Sequence, residues 1–248
     1  MNHNGKVKPI HPRPEGRGLL GNLDKTFFLK YNEYIMKLVV DIISDTHNQH
    51  SKLLMPGGEL LIHCGDATMS GKLPEVTGFL SWFAEQPYKY KIFVPGNHDW
   101  LFEQQPAFCA DECKNRGIIL LNDTSIVIEG LKIHGSAITP FFLDWAFNRH
   151  RGEDIQNHWN LIPKNTQILI THGPPFGILD KTTRGTLVGC KNLLATIKTL
   201  PHLKLHAFGH IHECIGMVEK DSVKFVNAAM LDDQYNLQAN RPIQIILD

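Results

Sequence analysis

The chain has 248 residues, 42% of them hydrophobic and 20% charged, so one large core can form without help from a membrane. Its 25 Lys and Arg balance 25 Asp and Glu, which disfavours nucleic acid or any partner bound by neutralising many phosphates. Five scattered cysteines, an odd number, read as buried reduced thiols rather than a disulfide framework; with no apolar run of membrane-spanning length, the expected location is the cytoplasm.

Residues 1–35 are dense in proline and glycine and carry neither a helical nor a strand period, so they read as an extension without its own core. Met36 opens the first strand-like run and reads as the initiator, leaving one expected domain over 36–248. Within it, strand-like runs occur at 36–43, 59–64, 90–94, 117–121, 124–128, 167–171 and 204–208. Helix-like segments lie near 74–86, 100–115, 151–159 and 189–199, and Cys109 and Cys113, four apart, would share a helix face. Glu129-Gly130 marks a tight hairpin, and 223–226 and 243–247 read as two more strands. Strands alternating with helices and followed by hairpins predict a mixed α/β (α+β) domain.

Polar residues follow the apolar runs directly. Ile43-Ser44 leads into Asp45-Thr46-His47, Cys64 into Gly65-Asp66, and Pro95 into Gly96-Asn97-His98-Asp99; Thr171 leads into His172-Gly173, and Phe208 into Gly209-His210-Ile211-His212. Carboxyl ends of strands in an α/β sheet are where ligand crevices form. Asp45, His47, Asp66, Asn97, His172, His210 and His212 exceed the needs of one tetrahedral zinc and suit two divalent cations sharing a carboxylate. Nitrogen and oxygen donors without thiolate suit Mn²⁺, Fe, Zn²⁺ or Ni²⁺ and do not choose among them; Mn²⁺ is taken as the expected ion.

This ordered set of five motifs over residues 45–212 resembles the calcineurin-like metallophosphoesterase superfamily. Asn160-Leu161-Ile162-Pro163, His172-Gly173-Pro174-Pro175, Val188-Gly189-Cys190 and Lys204 to Gly209 resemble its metallophosphoesterase-domain-containing subgroup, which includes class III cyclic-nucleotide-type phosphodiesterases. The resemblance implies a four-layer sandwich, two mixed β-sheets flanked by helices. It implies that Asp45, His47 and His212 hold one metal, that Asn97, His172 and His210 hold the other, and that Asp66 bridges them. His98 is then catalytic, facing the scissile phosphate and relieving charge on the leaving oxygen, with Asp99 orienting its ring; Asn97 and His98 are the expected substrate contacts.

The expected activity is hydrolysis of small-molecule phosphodiesters, cyclic nucleotides among the candidates, by attack of a metal-bridging hydroxide. A phosphomonoesterase or protein phosphatase on the same metals is the enzymatic alternative, and a catalytically silent binding scaffold the non-enzymatic one. The partner is thus a small phosphoester; the oligomeric state is open. His63 and His206, inside strand-like runs, read as satisfied core histidines, and Asn148, Arg149 and His150 as a solvated loop. Phe141, Phe142 and Trp145 read as a packing cluster, while Lys181 to Arg184 fits a phosphate guide or a surface turn equally well.

Overall fold

Apolar runs that are buried on both faces assemble as parallel strands, and here they build two mixed sheets. The computed structural model describes Met1 and residues 37–247; the extension expected over 1–35, Met1 apart, lies outside the described residues. The first sheet carries β1 (Leu38–Ile43), β2 (Gly58–His63), β3 (Tyr88–Phe93) and β4 (Ile119–Leu120), mutually parallel in that order. Strand β13 (Ile243–Leu247) pairs antiparallel with β1 at its edge. In the second sheet, β6 (Leu131–Ser136), β9 (Ile168–Thr171), β10 (Leu205–Phe208) and β12 (Val223–Asn227) are parallel neighbours. Antiparallel partners β5 (Thr124–Ile128) and β11 (Gly216–Lys220) close its two ends. Helices flank the sheets, and one buried apolar cluster draws on both.

Local chemistry explains the elements. Helix α1 (Leu73–Glu85) carries Pro74 in its first turn, and the Glu75 carboxylate accepts from the N–H groups of Lys72 (3.2 Å) and Ser70 (2.9 Å), closing that turn. Its Val76, Phe79, Leu80 and Phe83 are buried. The single helix expected over 100–115 is two, α2 (Trp100–Gln104) and α3 (Pro106–Asn115). Pro106 offers no N–H and keeps the preceding Gln105 out of the helical region, at φ −134° and ψ 61°. Cys109 and Cys113 are buried together on α3, and all five cysteines are unpaired. Helices α4 (Glu153–Trp159) and α5 (Lys191–Ile197) complete the set.

Glu129 and Gly130 sit at φ 47° and 77°, the two left-handed positions a tight hairpin requires, and Ile128 pairs with Leu131 across them. The strand expected over 117–121 shrinks to Ile119–Leu120, because Gly117 is still turning out of α3 at φ 69°. Strand β11 escaped sequence reading because four of its five side chains are exposed and carry no alternation. The expected loop at 148–150 is partly a ribbon instead: β8 (Asn148–Arg149) pairs with β7 (Thr139–Pro140). No described helix is long and apolar enough to cross a membrane.

His63 and His206 are both fully buried. His63 donates from Nε2 to Thr46 Oγ1 at 3.0 Å and accepts at Nδ1 from the Gly65 N–H at 3.2 Å. His206 Nε2 meets Thr171 Oγ1 at 2.8 Å, but its Nδ1 has no partner among the described residues, so of the two expected core histidines His63 alone has both ring nitrogens satisfied there. Burial pushes each imidazole down to about 3. Below the ordinary value of 6.5 the unfolded chain takes up protons that these folded rings refuse, so their contribution to stability is lost as pH falls from 6.5 towards 3. His206→Gln is expected to shrink the loss of stability between pH 7.5 and pH 5 by about 2 kcal/mol. Urea unfolding of both proteins at the two pH values measures this, and identical losses would show that His206 titrates normally in the fold.

Candidate metal centre

The carboxyl ends of β1, β2 and β3 from one sheet and of β9 and β10 from the other open into a single crevice. Their loops are tied by backbone hydrogen bonds: Asp45 N–H to the Gly65 carbonyl (2.8 Å), His47 N–H to that of Asp66 (3.0 Å), and Gly209 N–H to that of His172 (2.9 Å). Met230 N–H reaches the Ser44 carbonyl at 3.0 Å, joining the segment after β12 to the segment after β1. Four of the seven candidate donors turn through left-handed backbone: Asp45 (φ 52°), His47 (φ 39°), Asp66 (φ 54°) and His210 (φ 71°). Such geometry costs roughly 1–3 kcal/mol per residue and persists where surrounding contacts impose it, typically at functional sites. Gly96 and Gly209 make room: a Cβ on the first would collide with Asp66, and on the second with Asp45 and Ser44.

Three groups of side chains here could hold a cation: Asp45, His47 and His212; Asp66, His172 and His210; and His47, Asp66 and His98. Asp66 Oδ2 lies 3.3 Å from His172 Nε2 and 3.8 Å from His47 Nε2, while Asp45 Oδ1 lies 3.2 Å from His212 Nε2. Asn97 Oδ1 is 2.9 Å from His172 Nε2. The far nitrogens face backbone carbonyls: His47 Nδ1 that of Thr68 (3.2 Å), His172 Nδ1 that of Cys64 (2.9 Å), and His212 Nδ1 that of Asp232 (2.9 Å). A carbonyl only accepts, so each Nδ1 carries a proton and each Nε2 is turned into the crevice, the tautomer that ligates metal.

The electrostatics fit the same conclusion. Burial alone would push His172 and His212 down, but the charges and hydrogen bonds of Asp66 and Asp45 carry both up to about 9. Burial likewise opposes ionisation of Asp45, yet the His212 hydrogen bond and charge hold its carboxyl well below the usual range. Asp66 is also held far down, by His172 and His98 against the effect of burial. Burial keeps His47 and His210 neutral, at about 4. Two carboxylates thus draw protons onto two imidazoles where a divalent cation would serve both, and metal uptake displaces such protons. The donor set fits a metal.

His98 is half-buried beside these groups. Its Nδ1 meets the Met69 carbonyl at 2.7 Å, its Nε2 lies 4.0 Å from Asp66 Oδ2, and its ring stacks on Trp145 at 4.2 Å. The ring-orienting contacts are therefore Met69 and Trp145, not Asp99 as expected. The fully buried Asp99 carboxylate instead accepts from the N–H groups of Gly96 (2.8 Å), Ala67 (3.3 Å) and Thr68 (3.0 Å) and from the Thr68 hydroxyl (2.7 Å). It ties the loop after β2 to the loop after β3, and burial with the nearby Asp66 charge raises it to about 6. Asp99 is fully buried and is not among the residues that line the crevice.

The crevice has a volume of about 310 Å³. Phe142, Leu143 and Trp145 line it together with Glu213, Asp233 and Tyr235. The aromatic cluster expected to pack does not do so throughout: Phe141 and Phe142 are 49% and 60% exposed. Tyr235, whose ring sits edge-on to His47 at 4.9 Å, went unnoticed in the sequence because only a turn built on Asp232 presents it. Lys181 and Arg184 belong to a tight turn, closed by the Thr182 N–H to the Thr186 carbonyl (3.0 Å), and neither lines the crevice.

Comparison with known proteins places this geometry. Residues 38–214 match the family described as calcineurin-like phosphoesterase. The chain is similar to the human metallophosphoesterase domain-containing protein 1, at 38% identity over 83% of this chain and 69% of that protein. A 3′,5′-cyclic-nucleotide phosphodiesterase of Nostoc sp. is 28% identical over 64% of this chain and 58% of its own length. The fold is similar to the crystal structure of phosphopantetheinyl hydrolase from Mycobacterium tuberculosis, with a TM-score of 0.56 at 13% identity, over 80% of this chain and 91% of that one.

Proposed function

The chain belongs to the calcineurin-like phosphoesterase family, and from that premise we propose that it hydrolyses small-molecule phosphodiesters with two divalent cations. In this reading Asp45, His47 and His212 hold one cation, Asn97, His172 and His210 the other, and Asp66 is shared. Bound there, the cations supply an activated water and neutralise charge on the phosphate; Mn²⁺ is the first choice.

One observation carries the choice of a diester. Among the described residues the crevice lining contains no Lys or Arg, and it adds Glu213 and Asp233 to the two carboxylates of the proposed centre. A monoester dianion would meet that acidic rim with its extra charge, whereas a diester brings a single negative charge and two uncharged arms. The half-buried His98 is the group placed to donate to a leaving oxygen: the Met69 carbonyl takes its Nδ1 proton, and Nε2 faces the crevice, where the imidazolium form can give up its second proton. Trp145 holds the ring in place by stacking, and Asp99 holds the loop that presents it. Five unpaired cysteines support a reducing, cytoplasmic setting for the same activity.

Cyclic nucleotides fall within this substrate class, and the Nostoc relative supports testing them. With Mn²⁺-loaded protein, bis(4-nitrophenyl) phosphate is expected to turn over faster than 4-nitrophenyl phosphate. Faster cleavage of the monoester would assign the site to phosphomonoesters instead.

A further inference from the structure

A second cavity, of about 200 Å³, adjoins the crevice and shares Phe142 and His210 with it. Its other walls are chiefly apolar: Phe141 beside β7, Pro174 after β9, Val188 ahead of α5 and Ile211 after β10. Two polar side chains in the wall, Arg151 and Thr182, are already engaged. Arg151 donates to the carbonyls of Gly189 (2.9 Å) and Val188 (2.7 Å), and Thr182 Oγ1 donates to that of Thr186 at 3.4 Å. The wall is also braced from behind: the buried Asp180 carboxylate accepts from the N–H groups of Gly177 and Gly189, both at 2.9 Å, and Val188 N–H reaches the Asp180 carbonyl at 3.1 Å. A pre-formed apolar pocket with few free polar groups suits a flat, uncharged group.

The lining of this cavity includes His210 but not His98, Trp145 or His47, so it opens on the His210 side of the site. We infer that it receives the retained ester arm of the substrate, and that this arm carries an uncharged aromatic ring. The inference rests on the phosphodiesterase reading, in which the leaving oxygen faces His98 and the other arm is directed past His210. Phe141 and Phe142 offer ring faces or edges, and the Arg151 guanidinium adds a cationic partner for a π-system. A charged arm would be desolvated against proline, valine and isoleucine, and a methyl group would leave the cavity unfilled.

The test keeps the leaving group constant. Full-length, Mn²⁺-loaded protein is assayed with phenyl 4-nitrophenyl phosphate and methyl 4-nitrophenyl phosphate, and the phenyl-to-methyl ratio of kcat/KM is compared with the ratios for Val188→Trp and Phe141→Ala. Filling the cavity with tryptophan is expected to lower the ratio about tenfold, the worth of a partly buried ring. Phe141→Ala, a change at a half-exposed position that the fold tolerates, is expected to lower it several-fold. Calorimetry reads the same preference without turnover: phenylphosphonate should bind the loaded protein about tenfold tighter than methylphosphonate, with the preference lost in Val188→Trp. Unchanged ratios together with equal phosphonate affinities would overturn the cavity assignment and leave the phosphodiesterase reading standing. Discriminating phosphonate binding with neither ester cleaved would retain the aryl pocket and overturn the phosphodiesterase reading.

Discussion

Replacing Asp66 by asparagine is expected to lower phosphodiester hydrolysis by about three orders of magnitude, the scale of several kcal/mol of transition-state charge stabilisation. Asp66 is the carboxylate on which the proposed centre turns. One oxygen lies within 4.0 Å of Nε2 of His47, His98 and His172, and the other accepts from the His98 N–H at 2.7 Å. Asparagine keeps the shape but removes the charge that draws His172 up to about 9, so cation affinity should fall along with turnover. Elemental analysis of dialysed protein should find less metal per chain than in the wild type, with thermal unfolding still cooperative. Activity within tenfold of wild type would exclude Asp66 as a shared ligand.

His98→Ala is expected to cut kcat by about 10²- to 10⁴-fold, the usual worth of a positioned general acid, while metal content stays at the wild-type level. The measurement discriminates, because His98 also belongs to one of the three groups able to hold a cation, with His47 and Asp66. Two arrangements favour the proton-donor role. The proposed ligands already supply Asp45, His47, Asp66 and His212 on that side, and the Trp145 stack keeps the His98 ring at the crevice wall. Dependence on the leaving group separates the roles further. Loss of an acid should harm a poor leaving group, such as an alkoxide, far more than 4-nitrophenolate, which needs no proton. Metal lost in parallel with activity would make His98 a ligand.

The chemistry-bearing residues were legible because the backbone forces them into a recognisable pattern. These strands read as largely apolar runs, and the candidate donors follow where the chain leaves the sheet at their carboxyl ends: Asp45 after β1, Asp66 after β2, Asn97 after β3, His172 after β9 and His210 after β10. The glycines beside them were legible too, since a Cβ at Gly96 or Gly209 would strike a candidate donor. Pro106, by contrast, divides the one helix expected over 100–115 into two. The exposed strand β11 carried no signal at all, having little burial to impose a period.

What the sequence determined by itself, then, is the kind of chemistry on offer: seven candidate donors, their residue types and their order along a mixed α/β chain. What only the tertiary structure decided is how each donor is aimed. The Nδ1 atoms of His47, His98, His172 and His212 are held by the backbone carbonyls of Thr68, Met69, Cys64 and Asp232, and any residue supplies a carbonyl, so no side-chain type announces the contact. For the same reason Asp99 reads in the sequence as a partner for the His98 ring, when three of its four hydrogen bonds run to Ala67 and Thr68 in another loop, 32 and 31 residues away. The cavity beside His210 is likewise a product of packing, assembled from segments after β7, after β9, ahead of α5 and after β10 that share no local motif. Residue identity sets what a site can do; long-range backbone contacts set which way it faces and what it admits.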